Sequence, residues 1–518
     1  MNLIKDFKNS FNSLHIIAFI GLLFGSLHLI AQSTFVTEQK PNFIVVLVDD
    51  LGYGDIGAYR ELYQGKDKKS IAYLYTPQLD KLADEGIVCS RAYSSSWCAP
   101  SRQMLLSGCW INRKGVRDQH FPWVGRRLRQ EGYTTGMYGK SHGKFANFRN
   151  TRYFDDDFRE FDQGLFFRGG MRGYHLKRGE ILPGHIYQDD ASYQAKGNEY
   201  ITDVFTKGAT DFIKRNADNP FFLYLAYNAP HSPLQAKPDD LRYLFPEEFG
   251  SLSDSIIRAA KKPKGMLPNW NKHHYAAMVY AIDRGLGQIK QALNEAGIAD
   301  NTIIVFTSDN GAIQGSNYPL TGHKWDVYEG GIRVPFIVWS DKISKSNNKG
   351  SVYDGLVSTV DIAPSLMALA GNNNSEDFDG KNIMPYITGL EVAPPESQIF
   401  YYRETLGHYQ VTGSELLYPM IDKRTPLLLE AFIQNDKKYL SFRGLKGLKV
   451  IEGGMVLPDV RNISEPSKRL IEDVQGITSS KETLLSKEEF VDLKRNHQKF
   501  IEQNKLDFIL RWSGPEHD

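Results

Sequence analysis

Runs of consecutive apolar residues alternate along the chain with amphipathic segments. The runs are rich in Val, Ile and Phe and predict buried strands at 42–48, 220–227, 301–309 and 335–340. Helical periodicity, with capping residues and terminal glycines, predicts helices at 76–86, 275–297 and 359–371. This alternation indicates an α/β fold, with a large mixed, mostly parallel sheet flanked by helices. A binding site is then expected at the carboxyl ends of the strands.

The pattern changes after about residue 394. Two strand-like pieces, "QIFYYRE" and "KKYLSFRG", precede a charged segment with helical periodicity near the C terminus. We therefore predict a main domain over 41–395 and a smaller α+β C-terminal subdomain over 396–518. A chain of 518 residues exceeds the size at which a single core stops growing, which agrees with this division.

The N terminus combines a lysine-containing start with the apolar run "LHIIAFIGLLFGSLHLIAQ". This pattern is typical of a secretory signal peptide, predicted over 1–31 with cleavage near Ala31. A retained membrane anchor is the alternative, but the run is short for a spanning helix and is interrupted by His15, Ser26 and His28. No cysteine follows the run as a lipid-anchor site. We therefore predict an exported protein, periplasmic or secreted, without a stable membrane anchor.

Composition narrows the range of partners. The chain has 62 Lys and Arg against 61 Asp and Glu, so no overall electrostatic field favours nucleic acid, and none is expected as a partner. Selectivity for an anionic ligand must come from a local site. Three cysteines in an exported chain leave at least one thiol unpaired. Cys89 and Cys109 could form a disulfide, in which case Cys98 is the unpaired residue, but the sequence does not decide this.

Oxygen-bearing side chains stand where two of the predicted strands end. Asp49 and Asp50 close the first strand, and Asp309 and Asn310 close a later one. Such a set predicts a divalent cation, either Ca²⁺ or Mg²⁺, and four oxygen ligands suit Ca²⁺ slightly better. Zn²⁺ would prefer nitrogen or sulfur. The segment "GYGDIG" fits a dinucleotide fingerprint, but two carboxylates would face the pyrophosphate and no long helix follows, which argues against a nucleotide.

Basic side chains and imidazoles occur at other strand ends or in glycine-rich turns. They are Lys140 and His142 in "YGKSHGK", His231 in "NAPHSP" and Lys324 in "TGHKWDVYEGGIRVP". Each alone is most simply a solvated or structural side chain. Together with a metal ion they predict a pocket with fixed positive charges and two proton-transfer groups. Such a pocket suits a tetrahedral oxyanion ester, a sulfate or a phosphate.

The segment "SSSWCAPSRQML" contains Cys98-Ala99-Pro100-Ser101-Arg102, which fits the pattern Cys-x-Pro-Ser-Arg. On this motif the chain resembles the type I, formylglycine-dependent sulfatases of the alkaline phosphatase superfamily, and in particular bacterial secreted polysaccharide sulfatases. Further motifs follow the family's order between about 42 and 390: "VDDLGYGDIGAY", "GYTTGMYGK", "APHSP", "TSDNG", "GHKWDVYEGGIRVPFIVW", "STVDIAPSLMALAG" and "FDGKNIMPYITG". The resemblance makes 41–395 the sulfatase catalytic domain, while the C-terminal subdomain resembles the family only loosely.

The resemblance implies that Cys98 is oxidised to formylglycine (3-oxoalanine) by a formylglycine-generating maturation enzyme. The hydrate of this aldehyde would attack sulfur, and its second hydroxyl would then allow sulfate to leave. Arg102 would hold the nucleophile. Lys140 and Lys324 would hold sulfate oxygens, and His231 would protonate the leaving alcohol.

The remaining implied roles concern the metal and the second histidine. The Ca²⁺ ligands would be Asp49, Asp50, Asp309 and Asn310. His142 would take the hydrate proton when sulfate leaves. One departure from the family pattern is Ser141, which stands where a Trp is usual and predicts a reshaped loop around His142.

Candidate substrate contacts lie in "FFRGGMRGYHLKRGE", namely Arg168, Arg172, Tyr174 and His175. Arginines suit sulfates or carboxylates, and an aromatic ring can stack on a sugar, although a solvated loop explains the segment equally well. The predicted function is an exported sulfatase that acts on a sulfated polysaccharide or oligosaccharide. The alternatives are a phosphodiesterase or phosphonate monoester hydrolase of the same superfamily, and a non-catalytic sulfated-glycan-binding protein.

Overall fold

The computed structural model describes residues 39–457, with gaps at 63–73, 112, 114, 117–120, 143–159, 168, 183, 186–192, 259–268, 321, 326, 394–398, 407–426, 435–436 and 447–448, together with residues 495, 496 and 499. The strands are β1 Asn42–Asp49, β2 Ile87–Tyr93, β3 Thr134–Lys140, β4 Gln163–Phe167, β5 His175–Leu176, β6 Ile181–Leu182, β7 Gly184–His185, β8 Tyr193–Gln194, β9 Glu199–Tyr200, β10 Phe221–Pro230, β11 Thr302–Ser308, β12 Arg333–Val334, β13 Phe336–Ser340, β14 Ser351–Ser358, β15 Ile399–Leu406, β16 Leu427–Gln434, β17 Lys437–Lys446 and β18 Lys449–Leu457.

The helices fill the connections between these strands. They are α1 Gly57–Glu61, α2 Pro77–Glu85, α3 Cys98–Ser107, α4 Val124–Gln130, α5 Ile201–Arg215, α6 Pro238–Leu244, α7 Pro246–Phe249, α8 Asp254–Ile257, α9 Trp270–Glu295, α10 Glu329–Ile332, α11 Asp341–Ser344, α12 Ile362–Leu369 and α13 Met384–Ile387. Short 3₁₀ turns occur at Tyr53–Asp55, Ala299–Asn301 and Thr359–Asp361.

The central sheet has the strand order β12-β2-β13-β11-β1-β10-β3-β4-β7, with β14 also paired to β2. The strands β11, β1, β10, β3 and β4 run parallel to one another. Antiparallel pairs join β13 to β11 and to β2, β12 to β2, and β7 to β4. The predicted mixed, mostly parallel sheet is therefore confirmed.

Helices cover both faces of this sheet, which explains why its central strands are apolar throughout. Alternate residues of β1 point to opposite faces, so Ile44 and Val46 join one core with α2, α5 and α9. Phe43 and Val45 join a second core with α3, α4 and α12. All eight residues of β1 are buried, as expected for a parallel strand between two helical layers.

The predicted helices are present with small differences at their starts. The predicted segment 76–86 is α2, whereas α9 begins five residues earlier than the predicted 275. The segment 359–371 was predicted as one helix, but it opens with the 3₁₀ turn Thr359–Asp361 before α12. In that turn the Asp361 carboxylate accepts the Ser358 N–H, as in a capping box, and this bond stabilises the tight turn.

The C-terminal part contains a separate antiparallel sheet with the order β15-β16-β17-β18. Both strand-like pieces predicted there lie in it, as β15 and β17. Most of the predicted charged helical segment and the predicted signal peptide lie outside the described residues. Within the described residues, none of the helices is both long and apolar enough to cross a bilayer. Cys89, Cys98 and Cys109 are buried free thiols, so Cys89 and Cys109 do not form a disulfide.

Candidate active site

The carboxyl ends of four adjacent strands and the start of α3 meet at one edge of the sheet. Asp49 ends β1 and Lys140 ends β3, while Asp309 and His231 directly follow β11 and β10. These strands are neighbours in the order β11-β1-β10-β3, so their ends bring distant parts of the chain together. Cys98 is the first residue of α3.

Cys98 lies between a carboxylate and an ammonium group. Its Sγ donates to Asp49 Oδ1 at 3.2 Å, and Lys324 Nζ donates to the same sulfur at 3.0 Å. Burial raises the pKa of the Cys98 thiol, and the negative charge of Asp49 raises it further. The sulfur therefore stays protonated and is a poor nucleophile in this setting.

Arg102 lies one helical turn after Cys98, on the same face of α3. Its Nη2 is 3.1 Å from Asp309 Oδ2 and 3.5 Å from Asp49 Oδ2, and its Nη1 donates to Lys140 O at 2.9 Å. With only 2% of its surface exposed, this guanidinium joins the ends of three strands.

The four predicted calcium ligands lie together. The Asp50 N–H donates to Asp309 Oδ1 at 3.1 Å, and Asn310 Nδ2 donates to Asp50 Oδ1 at 2.7 Å. The other amide oxygen, Asn310 Oδ1, is buried without a hydrogen-bond partner. A buried acceptor with no donor beside carboxylates is an oxygen available to a cation. The donor set therefore fits calcium.

The charges in this cluster also favour a cation. Burial raises the pKa of Asp49, but Lys140, His231 and Arg102 outweigh it and hold that pKa well below the ordinary value. Burial and the charge of Asp49 raise the pKa of Asp309 to about 7. The raised pKa of Asp309 reflects burial and repulsion between neighbouring carboxylates, and a divalent ion between these carboxylates would relieve that repulsion.

Two buried lysines border the carboxylates. Lys140 Nζ forms a close ion pair with Asp49 Oδ2, and Lys324 Nζ is 2.6 Å from Asp50 Oδ1. Burial opposes the charge on Lys324, but Asp50 and its neighbours hold the Lys324 pKa well above its ordinary value. These ammonium groups are fixed positive charges next to Cys98.

The two histidines differ in environment. His231 Nδ1 is 2.8 Å from the Ser232 carbonyl oxygen, so it is the donating nitrogen, and Nε2 lies 3.6 Å from Asp50 Oδ2. His142 adopts a positive φ of 39°, and its Nδ1 is buried without a hydrogen-bond partner. Burial and the charges of Lys140 and Arg102 lower the His142 pKa well below its ordinary value. A neutral His142 is able to accept a proton.

Some residues with different predicted roles also lie close enough together to bind one metal ion. Single ligand atoms of four side chains lie within 4.8 Å of one another, namely those of Asp49, Asp50, Cys98 and His231. The metal candidates, the predicted nucleophile and the predicted proton donor therefore share one small space.

Of the four predicted substrate contacts, the three that the structure describes each have a partner within the protein. Arg168 lies outside the described residues. Arg172 is ion-paired with Glu180 in its own loop, and His175 Nε2 is 3.2 Å from the Ala236 carbonyl oxygen. Tyr174 has 0% of its surface exposed. The prediction that its ring stacks on a sugar is therefore wrong, because both faces are covered by protein.

Sequence reasoning missed a buried carboxylate beside the cluster. Asp55 accepts from the Gly52 N–H at 2.8 Å, from the Ser316 N–H at 2.9 Å and from the Tyr275 hydroxyl. Tyr275 also reaches the carbonyl of Asp50 at 3.3 Å. The available signal was the third aspartate in "VDDLGYGDIG".

The same contacts explain the glycines of "GYGDIG". A Cβ on Gly52 would come within 2.2 Å of the Ser316 carbonyl oxygen, and one on Gly54 within 2.5 Å of the Tyr318 carbonyl oxygen. Glycine at these two positions leaves room for the backbone of Ser316 and Tyr318, and not for a pyrophosphate.

Comparisons with known proteins identify relatives of this chain. The Sulfatase family model matches residues 41–372. Arylsulfatase J of Mus musculus is 31% identical over 374 residues, which cover 68% of this chain but only 56% of the mouse protein. N-acetylgalactosamine-6-sulfatase of Homo sapiens is 30% identical over 399 residues, covering 70% of this chain and 69% of the human protein. The crystal structure of Ps i-CgsB in complex with k-i-k-neocarrahexaose aligns with a TM-score of 0.65 and 26% identity, covering 92% and 96% of the two chains.

Proposed function

Because the chain belongs to the sulfatase family of sulfuric ester hydrolases in the alkaline phosphatase superfamily, we propose that it hydrolyses sulfate esters of a sulfated polysaccharide or oligosaccharide. The observation that carries the proposal is the position of Cys98. It stands at the start of α3, beside the fixed charge of Lys324 and against a cluster of metal-binding oxygens.

We infer that a maturation enzyme converts Cys98, because its neutral thiol is itself a poor nucleophile. Formylglycine at position 98 would supply the oxygen nucleophile that a buried, protonated sulfur does not. Asp49, Asp50, Asp309 and Asn310 would hold a calcium ion. That ion would neutralise negative charge on the sulfate group as it develops.

The remaining side chains bind the ester and move protons. Lys140 and Lys324 hold sulfate oxygens, because their ammonium groups are buried beside Cys98. His231 would donate a proton from Nε2 to the leaving alcohol when its imidazole carries a hydrogen on both nitrogens, since the Nδ1 hydrogen is committed to the Ser232 carbonyl. His142, held neutral, accepts the proton released when sulfate departs. Arg102 fixes the strand ends and so the nucleophile.

The substrate class is supported by the relatives. The human relative is named for a sulfated amino sugar, and the solved structure of Ps i-CgsB holds a neocarrahexaose. Such polymers are encountered outside the cytoplasm. The predicted signal peptide over 1–31 therefore supports a periplasmic or secreted enzyme.

The test begins with protein made in a host that contains the maturation enzyme. Mass spectrometry of the tryptic peptide of residues 92–102 is expected to find the aldehyde at position 98. Free sulfate should then be released from sulfated oligosaccharides, more slowly after calcium chelation, and not by Cys98→Ala. A phosphate diester or phosphonate monoester hydrolysed faster than every sulfate ester would favour the alternative hydrolase. Glycan binding with an unmodified thiol and no sulfate release would favour a binding protein.

A further inference from the structure

The segment of residues 170–175, here called the bracing segment, touches the parts of the site that carry both histidines. A Cβ on Gly170 would lie 3.4 Å from His142 Nε2, so the backbone there packs against that imidazole. Four residues later, Tyr174 contacts the turn of residues 228–231 at the end of β10, which includes His231. The segment predicted to bind substrate thus contacts the histidines instead.

The Tyr174 hydroxyl is placed between two carbonyl oxygens of the His231 turn. It lies 2.6 Å from Asn228 O and 2.7 Å from His231 O. The Asn228 carbonyl also accepts the His231 N–H at 3.0 Å, which closes the turn. The single Tyr174 hydroxyl proton is therefore shared between carbonyl oxygens at the two ends of a four-residue turn, and it limits how the backbone of His231 can rotate.

Tyr174 is itself held on several sides. Its N–H donates to Gln235 Oε1 at 3.0 Å, its carbonyl accepts the Ile201 N–H at 2.9 Å, and its ring stacks on Tyr200 at 5.8 Å between centroids. Burial raises the Tyr174 pKa well above its ordinary value, so the hydroxyl keeps its proton and remains a donor.

We propose that Tyr174 is a positioning residue for His231: its hydroxyl fixes the turn so that Nε2 points at the leaving-group oxygen. This inference rests on the proposed sulfatase function. It predicts a selective loss, because a misplaced general acid matters only when the leaving group needs a proton. A sugar alcohol needs one, whereas the phenolate of 4-nitrophenyl sulfate leaves without it.

The experiment compares Tyr174→Phe with wild type, both matured to the same extent as judged from the peptide of residues 92–102. We expect kcat for a sulfated oligosaccharide to fall about ten- to a hundredfold, and kcat for 4-nitrophenyl sulfate to change less than about threefold. Tyr200→Phe is the matched control, because it removes the buried hydroxyl of the ring that stacks on Tyr174, and this hydroxyl has no hydrogen-bond partner among the described residues. It should affect both substrates equally and weakly.

A double-mutant cycle adds a second readout. In a His231→Ala background, Tyr174→Phe should cause almost no further loss on the oligosaccharide, because its effect acts through the removed imidazole. An equal loss on both substrates, or a full additional loss in the His231→Ala background, would overturn the inference while leaving the sulfatase function intact. A matured wild type that releases sulfate from neither substrate would overturn both. If Tyr174→Phe does not fold, Gln235→Met tests the same brace through its bond to the Tyr174 N–H, with the same selectivity expected.

Discussion

Asp283 offers a quantitative test of the packing that supports the site. This carboxylate projects from α9 and is 1% exposed. Its Oδ1 accepts the N–H groups of Gln78 at 2.9 Å and Leu79 at 2.8 Å, in the first turn of α2, while Oδ2 is buried without a partner. Burial raises the pKa of Asp283 from 3.8 to about 7 in spite of these two bonds. Asp283→Asn retains the accepting oxygen and removes the titration.

The size and sign of the effect follow from the shift. A carboxyl group whose pKa is higher in the folded state takes up a proton on folding, so its contribution to stability is present below pH 3.8 and is lost as the pH rises through 7. A shift from 3.8 to about 7 corresponds to about 4 kcal/mol in total, of which about 3 kcal/mol is lost between pH 5 and pH 8.5. The buried amide nitrogen of Asp283→Asn costs about 1–3 kcal/mol at every pH, so the pH-dependent difference is the informative quantity.

The assay is urea unfolding, followed by tryptophan fluorescence at pH 5 and pH 8.5. The free energy of unfolding of Asp283→Asn, relative to wild type, should rise by about 3 kcal/mol between the two conditions. Asp218→Asn, at an exposed position, is the control and should show no such rise. A difference between Asp283→Asn and wild type that is the same at both pH values would refute the reasoning, because it would mean that burial does not shift this carboxyl group.

Two predictions concern the metal cluster and its support. Calcium should raise the melting temperature of the wild type. Asn310→Leu should need about tenfold more calcium for the same rise, because the buried Oδ1 is lost as a ligand. A calcium titration of Asn310→Leu that matches the wild type would contradict this ligand assignment. Tyr275→Phe should lower the free energy of unfolding by about 1–3 kcal/mol, because buried Asp55 loses its hydroxyl donor. Urea unfolding measures this loss, with Tyr280→Phe as the control. Equal free energies of unfolding for the two variants would show that the hydrogen bond from Tyr275 to Asp55 does not stabilise the fold.

The sequence was sufficient to predict the central strands and the site residues next to their ends. An uninterrupted apolar run such as that of β1 is buried on both faces, so composition alone identifies it. Asp49, Lys140 and Asp309 stand at or directly after strand ends, and in a parallel sheet such ends meet. Their proximity therefore follows from topology that the strand pattern already implies.

Other features depend on contacts that no local pattern contains. The start of α9 was missed because "WNKHH" is polar, yet His274 is buried there and its Nδ1 accepts the Ala236 N–H at 3.0 Å. Tyr174 acts on a turn more than fifty residues away, and Asp55 is joined to Tyr275, 220 residues away. A tyrosine among arginines has the composition of a sugar-binding loop, and only its burial reveals the bracing role.

Charge links the proposed metal to the proposed substrate. In the described cluster, Arg102 and the two lysines face three carboxylates, so the formal charges balance before any ligand enters. An anionic sulfate ester approaching a neutral, buried pocket would gain little attraction to offset its desolvation. A divalent cation on the carboxylates would make the pocket positive and strengthen the field of both lysines toward the ester. Calcium binding and substrate binding are therefore expected to be coupled through charge, even where the ion and the sugar do not touch.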